Sequence, residues 1–239
     1  MLEYYKESGL TPLEFINTIK KKFQNTKICY TARLDPMARG LVPILFGDEC
    51  KNMHHYTNLS KTYEVKVIIG YKTDSDDILG ILENDMHYDT KYYTLNNLIS
   101  NYKYFFNIEN EITIKQKYHY FSTKSLLARS KGNKIIEHIH NVILFSSQII
   151  DSGTLDFKEW INTCIQIINK VDKTKDFRQK QIIEQWQNLI KQKDETIEYI
   201  TLKLHVGSGF FVRQYIRDLS VKIGIPLMCY DIHRTHIDY

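Results

Sequence analysis

With 239 residues, 43% of them hydrophobic and 25% charged, the chain has apolar material for one large globular domain or two small ones, which excludes a mainly disordered protein. A net charge of +4 permits an anionic partner without requiring one, and no apolar run approaches the length of a membrane span. The cysteines Cys29, Cys50, Cys164 and Cys229 lie far apart with no CxxC pair, so no zinc site and no disulfide framework is indicated, and a reducing compartment, the cytoplasm, is expected.

The N-terminal MLEYYKESGL lacks both the apolar core of a signal peptide and the Arg/Ser-rich, acid-poor character of a transit peptide. A helix is predicted from Thr11, with Pro12 at its first position, Glu14 completing a capping box, and Leu13, Ile16, Ile19 and Phe23 on one face. Lys20, Lys21 and Lys22 end it, either as a solvated turn favoured by the helix dipole or as an RNA-facing patch. Residues 28–46 read as a short strand, an irregular segment over 32–40, and an apolar stretch from Leu41 to Phe46. Residues 61–71 alternate as a strand, with Tyr63, Val65, Val67 and Ile69 inward and Glu64 and Lys66 outward. A polar turn over 72–77 follows, closed by Gly80.

A helical stripe of Leu95, Leu98, Ile99 and Tyr102 runs through 92–106, and 118–127 read as extended or irregular. Two helices are expected at 157–170 and 178–192, separated by the charged connector 172–176. Residues 199–206 alternate as a strand, Gly207, Ser208 and Gly209 form a turn, and 211–223 read as a helix carrying Tyr215, Leu219 and Lys222. A last strand over 228–236 is expected to close the sheet.

Asp35 stands between apolar stretches, and Pro36 fixes the backbone after it while biasing Asp35 itself to an extended conformation. Taken alone, an Asp before a Pro is a turn former. Its neighbours point further. The run Cys29-Tyr30-Thr31-Ala32-Arg33-Leu34-Asp35-Pro36-Met37-Ala38-Arg39-Gly40-Leu41-Val42-Pro43 resembles the catalytic motif of the TruB pseudouridine synthases, commonly GHTGTLDPLATGVLP, with Asp35 on the catalytic aspartate. Lys61-Thr62-Tyr63 resembles the family's K-x-Y element, and residues 70–80 its G-x-x-T-D-T-x-D-x-x-G turn. Residues 208–219 resemble SKGTYIRTLIxDLG and put Arg213 on the active-site arginine. Residues 5–9 resemble D-K-P-x-G, and 116–122 more weakly Q-x-P-P-x-Y-S.

The resemblance implies an α+β fold, a mixed, largely antiparallel sheet flanked by helices with the cleft across the sheet. It spans residues 1–239 as a single catalytic domain except for 150–195, read as an inserted helical pair, and the end of the chain leaves no room for the PUA domain of many relatives. The implied activity is isomerisation of a T-loop uridine in tRNA, uridine 55 in tRNA numbering, with the T-arm stem-loop as partner. Neither cofactor nor metal is implied, and a monomer without an obligatory protein partner is expected.

The implied catalytic residues are Asp35, Tyr63 and Arg213, with Tyr30, Arg33, Asp77, Phe211 and Ile232 contacting substrate. A flipped uracil needs a surface to replace its lost stacking, for which Tyr63 is suited, and a guanidinium would hold Asp35 ionised in a desolvated pocket. Each has a plainer reading: Tyr63 and Ile232 as core residues of strands, Arg213 as a surface residue at a helix start, Asp74 and Asp76 as turn formers. Tyr30 replaces the family's usual His, Arg33 a small residue, and Phe211 a tyrosine. An alternative is therefore a catalytically weak or inactive RNA-binding relative acting in tRNA folding or ribosome assembly; another is an enzyme of the guide-dependent branch.

Overall fold

A computed structural model describes residues 1–83, 94–117, 139–191 and 196–239. Its strands are β1 (Leu2–Lys6), β2 (Ile28–Tyr30), β3 (Ala38–Phe46), β4 (Lys61–Ile69), β5 (Ile112–Lys117), β6 (Ile139–Asp156), β7 (Thr196–Val206) and β8 (Leu227–Ile237). They form one mixed sheet in the order β1-β3-β8-β4-β7-β6-β5, with β2 beside β3. The named ladders are antiparallel except β3 with β8.

The helices are α1 (Pro12–Lys20), α2 (Met53–Thr57), α3 (Leu95–Phe106), α4 (Phe157–Lys170), α5 (Gln179–Ile190) and α6 (Val212–Ile223). At α1 the capping box forms as expected: the Glu14 amide donates to Thr11 Oγ1 at 3.2 Å, and the Thr11 amide to Glu14 Oε2 at 2.8 Å. The buried face of α1 is Phe15, Ile16 and Ile19, whereas Leu13, expected inward, is 52% exposed. Leu13 lies two residues from Phe15, which at about 100° per residue turns it to the far side of the helix.

The sheet has a core on each face. Tyr63, Val65 and Val67 of β4 join Ile200, Leu202 and Leu204 of β7 and Ile216 and Leu219 of α6 in one cluster. Ile68 enters the other, with Met228 and with Phe157, Trp160, Ile161, Ile182 and Trp186 of α4 and α5. Successive side chains of a strand point to opposite faces, so Val67 and Ile68 are both fully buried only because both faces are covered. Trp160 and Trp186 meet edge to face at 5.2 Å, which makes α4 and α5 a structural half of the second core.

The last strand departs from expectation. Instead of closing the sheet, β8 runs through its middle, parallel to β3 and antiparallel to β4. Leu227, Met228 and Cys229 are all buried there, a two-sided apolar run that suits an interior strand.

Candidate active site

Two segments share one edge of β8. The turn over 75–79 meets it first, with Asp77 bridged to Cys229 and the Cys229 amide donating to the Asp76 carbonyl at 2.9 Å. Further along, β3 pairs with it from Ala38 opposite Ile232 to Gly40 opposite Arg234. Asp35 precedes β3 and stands where these two segments part. Leu34 is buried in the core while Arg33 and Asp35 are exposed, so alternation turns both charged side chains outward.

Backbone contacts hold this segment from behind. Lys6 of β1, 1% exposed, donates from Nζ to the carbonyls of Asp35 at 3.1 Å and Ala38 at 2.7 Å, and the Gly9 amide donates to Pro36 O at 2.8 Å. Arg234, fully buried, donates to the carbonyls of Leu41 at 2.6 Å and Ala32 at 2.9 Å. Burial pushes the Lys6 ammonium down to about 8, against the pull of Asp35.

Arg213, in the first turn of α6, joins the two sides of the gap. Its Nη2 lies 2.7 Å from Asp35 Oδ2, and its Nη1 lies 3.1 Å from Asp77 Oδ2 and donates to Ser75 O at 3.0 Å. The Arg213 side chain is 11% exposed, that of Asp35 50%. Burial works against the Arg213 cation, but Asp35 and then Asp77 outweigh it and raise its pKa, so the guanidinium stays charged. Asp77 is pushed above the usual carboxylate range by burial, opposed by Arg213 and by the Ser75 hydroxyl, which donates to Asp77 Oδ1 at 2.6 Å. A carboxylate at a half-open gap, backed by a fixed guanidinium, is an arrangement able to serve a nucleophile.

The turn that carries Asp77 is polar, as expected, but buried: Thr73 and Asp76 are 0% exposed, Ser75 4% and Asp77 3%. It lies between α6 and β8, and a Cβ at Gly80 would meet Ser75 Oγ at 2.4 Å, so only glycine lets the turn close. Asp76 has a turn former's left-handed φ of 59° and is more besides, because Arg217 Nε donates to its Oδ2 at 2.6 Å. The start of α6 is fixed by Gln116 of β5, fully buried: the Phe211 amide donates to Gln116 Oε1 at 2.9 Å, and Gln116 Nε2 to Phe211 O at 3.1 Å.

Of the residues expected in the site, the structure thus brings Asp35, Asp77 and Arg213 together. Tyr63, 7% exposed, and Ile232, 5% exposed, share the core cluster and face of the sheet that α6 covers, Tyr63 opposite Arg234 and Ile232 opposite Val65. Tyr30 and Arg33 form their own pair, the guanidinium carbon 5.9 Å from the ring centroid. Phe211 sets its ring edge-on to His140 at 5.3 Å. Lys6, Gln116 and Arg217 were given no role of their own from the sequence, and Asp76 only that of a turn former. For Arg217 a signal existed, since a spacing of four from Arg213 puts both on one side of α6. The resemblance over 118–122 and the reading of 118–127 lie outside the described residues.

Residues 20–133 match the TruB family pseudouridylate synthase (N terminal domain). The tRNA pseudouridine synthase B of Blochmanniella floridana is 39% identical over 77 residues, 32% of this chain and 30% of the relative. That of Staphylococcus aureus (strain bovine RF122 / ET3-1) is 23% identical over 236 residues, 95% of this chain and 62% of the relative. The chain therefore spans less than two thirds of the length of these relatives. A chain in the crystal structure of a Cbf5-Nop10-Gar1 complex, 14% identical, superposes with a TM-score of 0.51 over 98% of this chain and 47% of its own length, which shows a shared fold. Residues 20–133, less than half of this chain, thus resemble the N-terminal domain of the TruB family pseudouridylate synthases.

Proposed function

We propose that the protein converts a uridine in the T-loop of tRNA, uridine 55 in tRNA numbering, to pseudouridine. The observation that carries this reading is the Asp35–Arg213 ion pair of 2.7 Å at the gap beside β8. The reaction is an isomerisation: the bond from N1 to the ribose breaks, the ring turns, C5 bonds to the ribose, and the proton lost from C5 is balanced by one gained at N1. A base must leave its stack to undergo this. In this reading the Asp35 carboxylate drives the cleavage, Arg213 aims it, and Tyr63 and Ile232 face the flipped uracil. Asp77 steadies Arg213, while Tyr30, Arg33 and Phe211 contact the RNA around the gap. Residues 1–239 act as one catalytic domain in which the helical pair within 150–195 is an insertion.

Substrate choice is supported by the relatives named as tRNA enzymes and by the preference of folded RNA recognition for loop shape and splayed bases. The test is incubation of the purified protein with an unmodified T-arm stem-loop transcript and chemical mapping of pseudouridine. Modification at the T-loop uridine is expected without any added RNA. No pseudouridine in the stem-loop or in full-length tRNA would overturn the proposal, and strict dependence on a separate guide RNA would move the chain to the guide-dependent branch.

A further inference from the structure

Arg217 lies one helical turn beyond Arg213 on α6, and both side chains enter the same turn. Arg213 takes the carbonyl of Ser75 and the carboxylate of Asp77, the two residues that flank Asp76. Arg217 takes Asp76 itself, with Nε donating to Oδ2 at 2.6 Å, and its Nη2 donates to the Asp74 carbonyl at 3.0 Å. Asp76 is fully buried and holds a φ of 59°, a conformation that costs energy for a residue other than glycine. Asp tolerates it better than most, but something must hold it there.

We propose that Arg217 and Asp76 are a positioning pair, which locks the 74–77 turn so that Ser75 and Asp77 aim Arg213 at Asp35. The inference rests on the pseudouridine synthase reading. Both residues fall on positions that the family motifs leave unspecified, so neither motif assigns them a role. A second cation, Arg178, reaches the same turn through Asp74, at 2.5 Å between Nη1 and Oδ2. That pair is 33% exposed on both sides, whereas in the Arg217–Asp76 pair the guanidinium is 28% exposed and the carboxylate wholly buried, so solvent screens the second pair less than the first. Arg217 therefore carries the positioning and Arg178 does not.

Removing Arg217 alone would leave a buried carboxylate without that cation, so the test uses the double variant Asp76→Asn/Arg217→Gln, in which Asn still suits the left-handed position. On the T-arm stem-loop its kcat should fall about 30-fold or more with KM within about 2-fold, while Arg178→Gln keeps kcat within about 3-fold. Arg217→Lys, which keeps the charge but not both donors, should fall between. Parental kcat in the double variant, a loss seen only in KM, or an equal loss in Arg178→Gln would each overturn the pair. Amide hydrogen exchange over 74–80 gives a readout that does not need activity: it should quicken in the double variant and hold in Arg178→Gln. If the parent protein forms no pseudouridine, the functional reading fails on its own, and unchanged exchange in the double variant would separately refute the positioning role.

Discussion

Asp35→Asn separates a catalytic carboxylate from a turn former, and the structure sets the size of both effects. The Asp35 side chain is 50% exposed, so loss of its ion pair should cost less than about 1 kcal/mol, or less than about 4 °C of melting temperature for a chain of this size. Arg213 is not stranded, because Asp77 and the Ser75 carbonyl still hold it. Asn also serves a turn about as well as Asp. A nucleophile or charged participant is different in scale: its loss should lower the chemical step by about 10³-fold or more, roughly 4 kcal/mol. Affinity for a polyanionic RNA should not fall when a negative charge is removed. The assay is single-turnover pseudouridine formation at saturating T-arm stem-loop, with thermal melting and RNA binding measured on the same preparation. Expected are intact folding, intact binding and no modification. Formation of pseudouridine by Asp35→Asn near the parental rate would refute the catalytic assignment and the mechanism built on it.

Tyr63→Phe should keep the face offered to the base and Tyr63→Leu should lose it, costing the Leu variant roughly 1–3 kcal/mol of stacking in the single-turnover rate; parental turnover by Leu would leave Tyr63 a core residue only. Gly40 has a φ of 123° and a Cβ there would lie 2.2 Å from Arg234 O, so Gly40→Ala should destabilise by about 3 kcal/mol or more in denaturant unfolding. Gly47, with a φ of 56° and open space around it, should lose only about 1 kcal/mol as Ala. Lys6 falls from 10.5 to about 8 on folding, so below pH 8 its burial disfavours the native state by about 3 kcal/mol, and this penalty fades as pH rises from 8 towards 10.5 because the unfolded chain then holds the extra proton. The stability of the parent relative to Lys6→Met should accordingly rise across that window, and a flat difference would contradict the buried ammonium. The groove at the α4–α5 connector is lined by Lys173, Lys175 and Lys180 among others; changing these three lysines to Gln should flatten the salt dependence of RNA binding by about 0.7–0.9 in log–log slope for each phosphate they neutralise in the parent. Deleting the helical pair would not test this, because it would remove Trp160, Ile161, Ile182 and Trp186 from the second core.

What the sequence by itself determined was local. The cap at Thr11, the alternation through Tyr63, Val65 and Val67, and the Leu34-Asp35-Pro36 segment are written in neighbouring residues, and α1, β4 and the setting of Asp35 follow from them. The ordered motifs also marked Asp35, Asp77 and Arg213 as one site, because a shared family pattern carries contacts that periodicity cannot. Tertiary structure alone decided where β8 lies, since a run of apolar residues fits an edge or an interior strand until its neighbours are known. It also decided that the 73–77 turn is buried, because Asp and Ser read as solvated unless α6 and β8 supply the partners that offset their desolvation. Lys6 and Arg234 escaped notice for a related reason. They bind backbone carbonyls, at Asp35 and Ala38 or at Ala32 and Leu41, and a carbonyl has no letter in the sequence; only a fold that brings residues 6 and 234 beside the 32–41 segment reveals what those two buried cations hold in place.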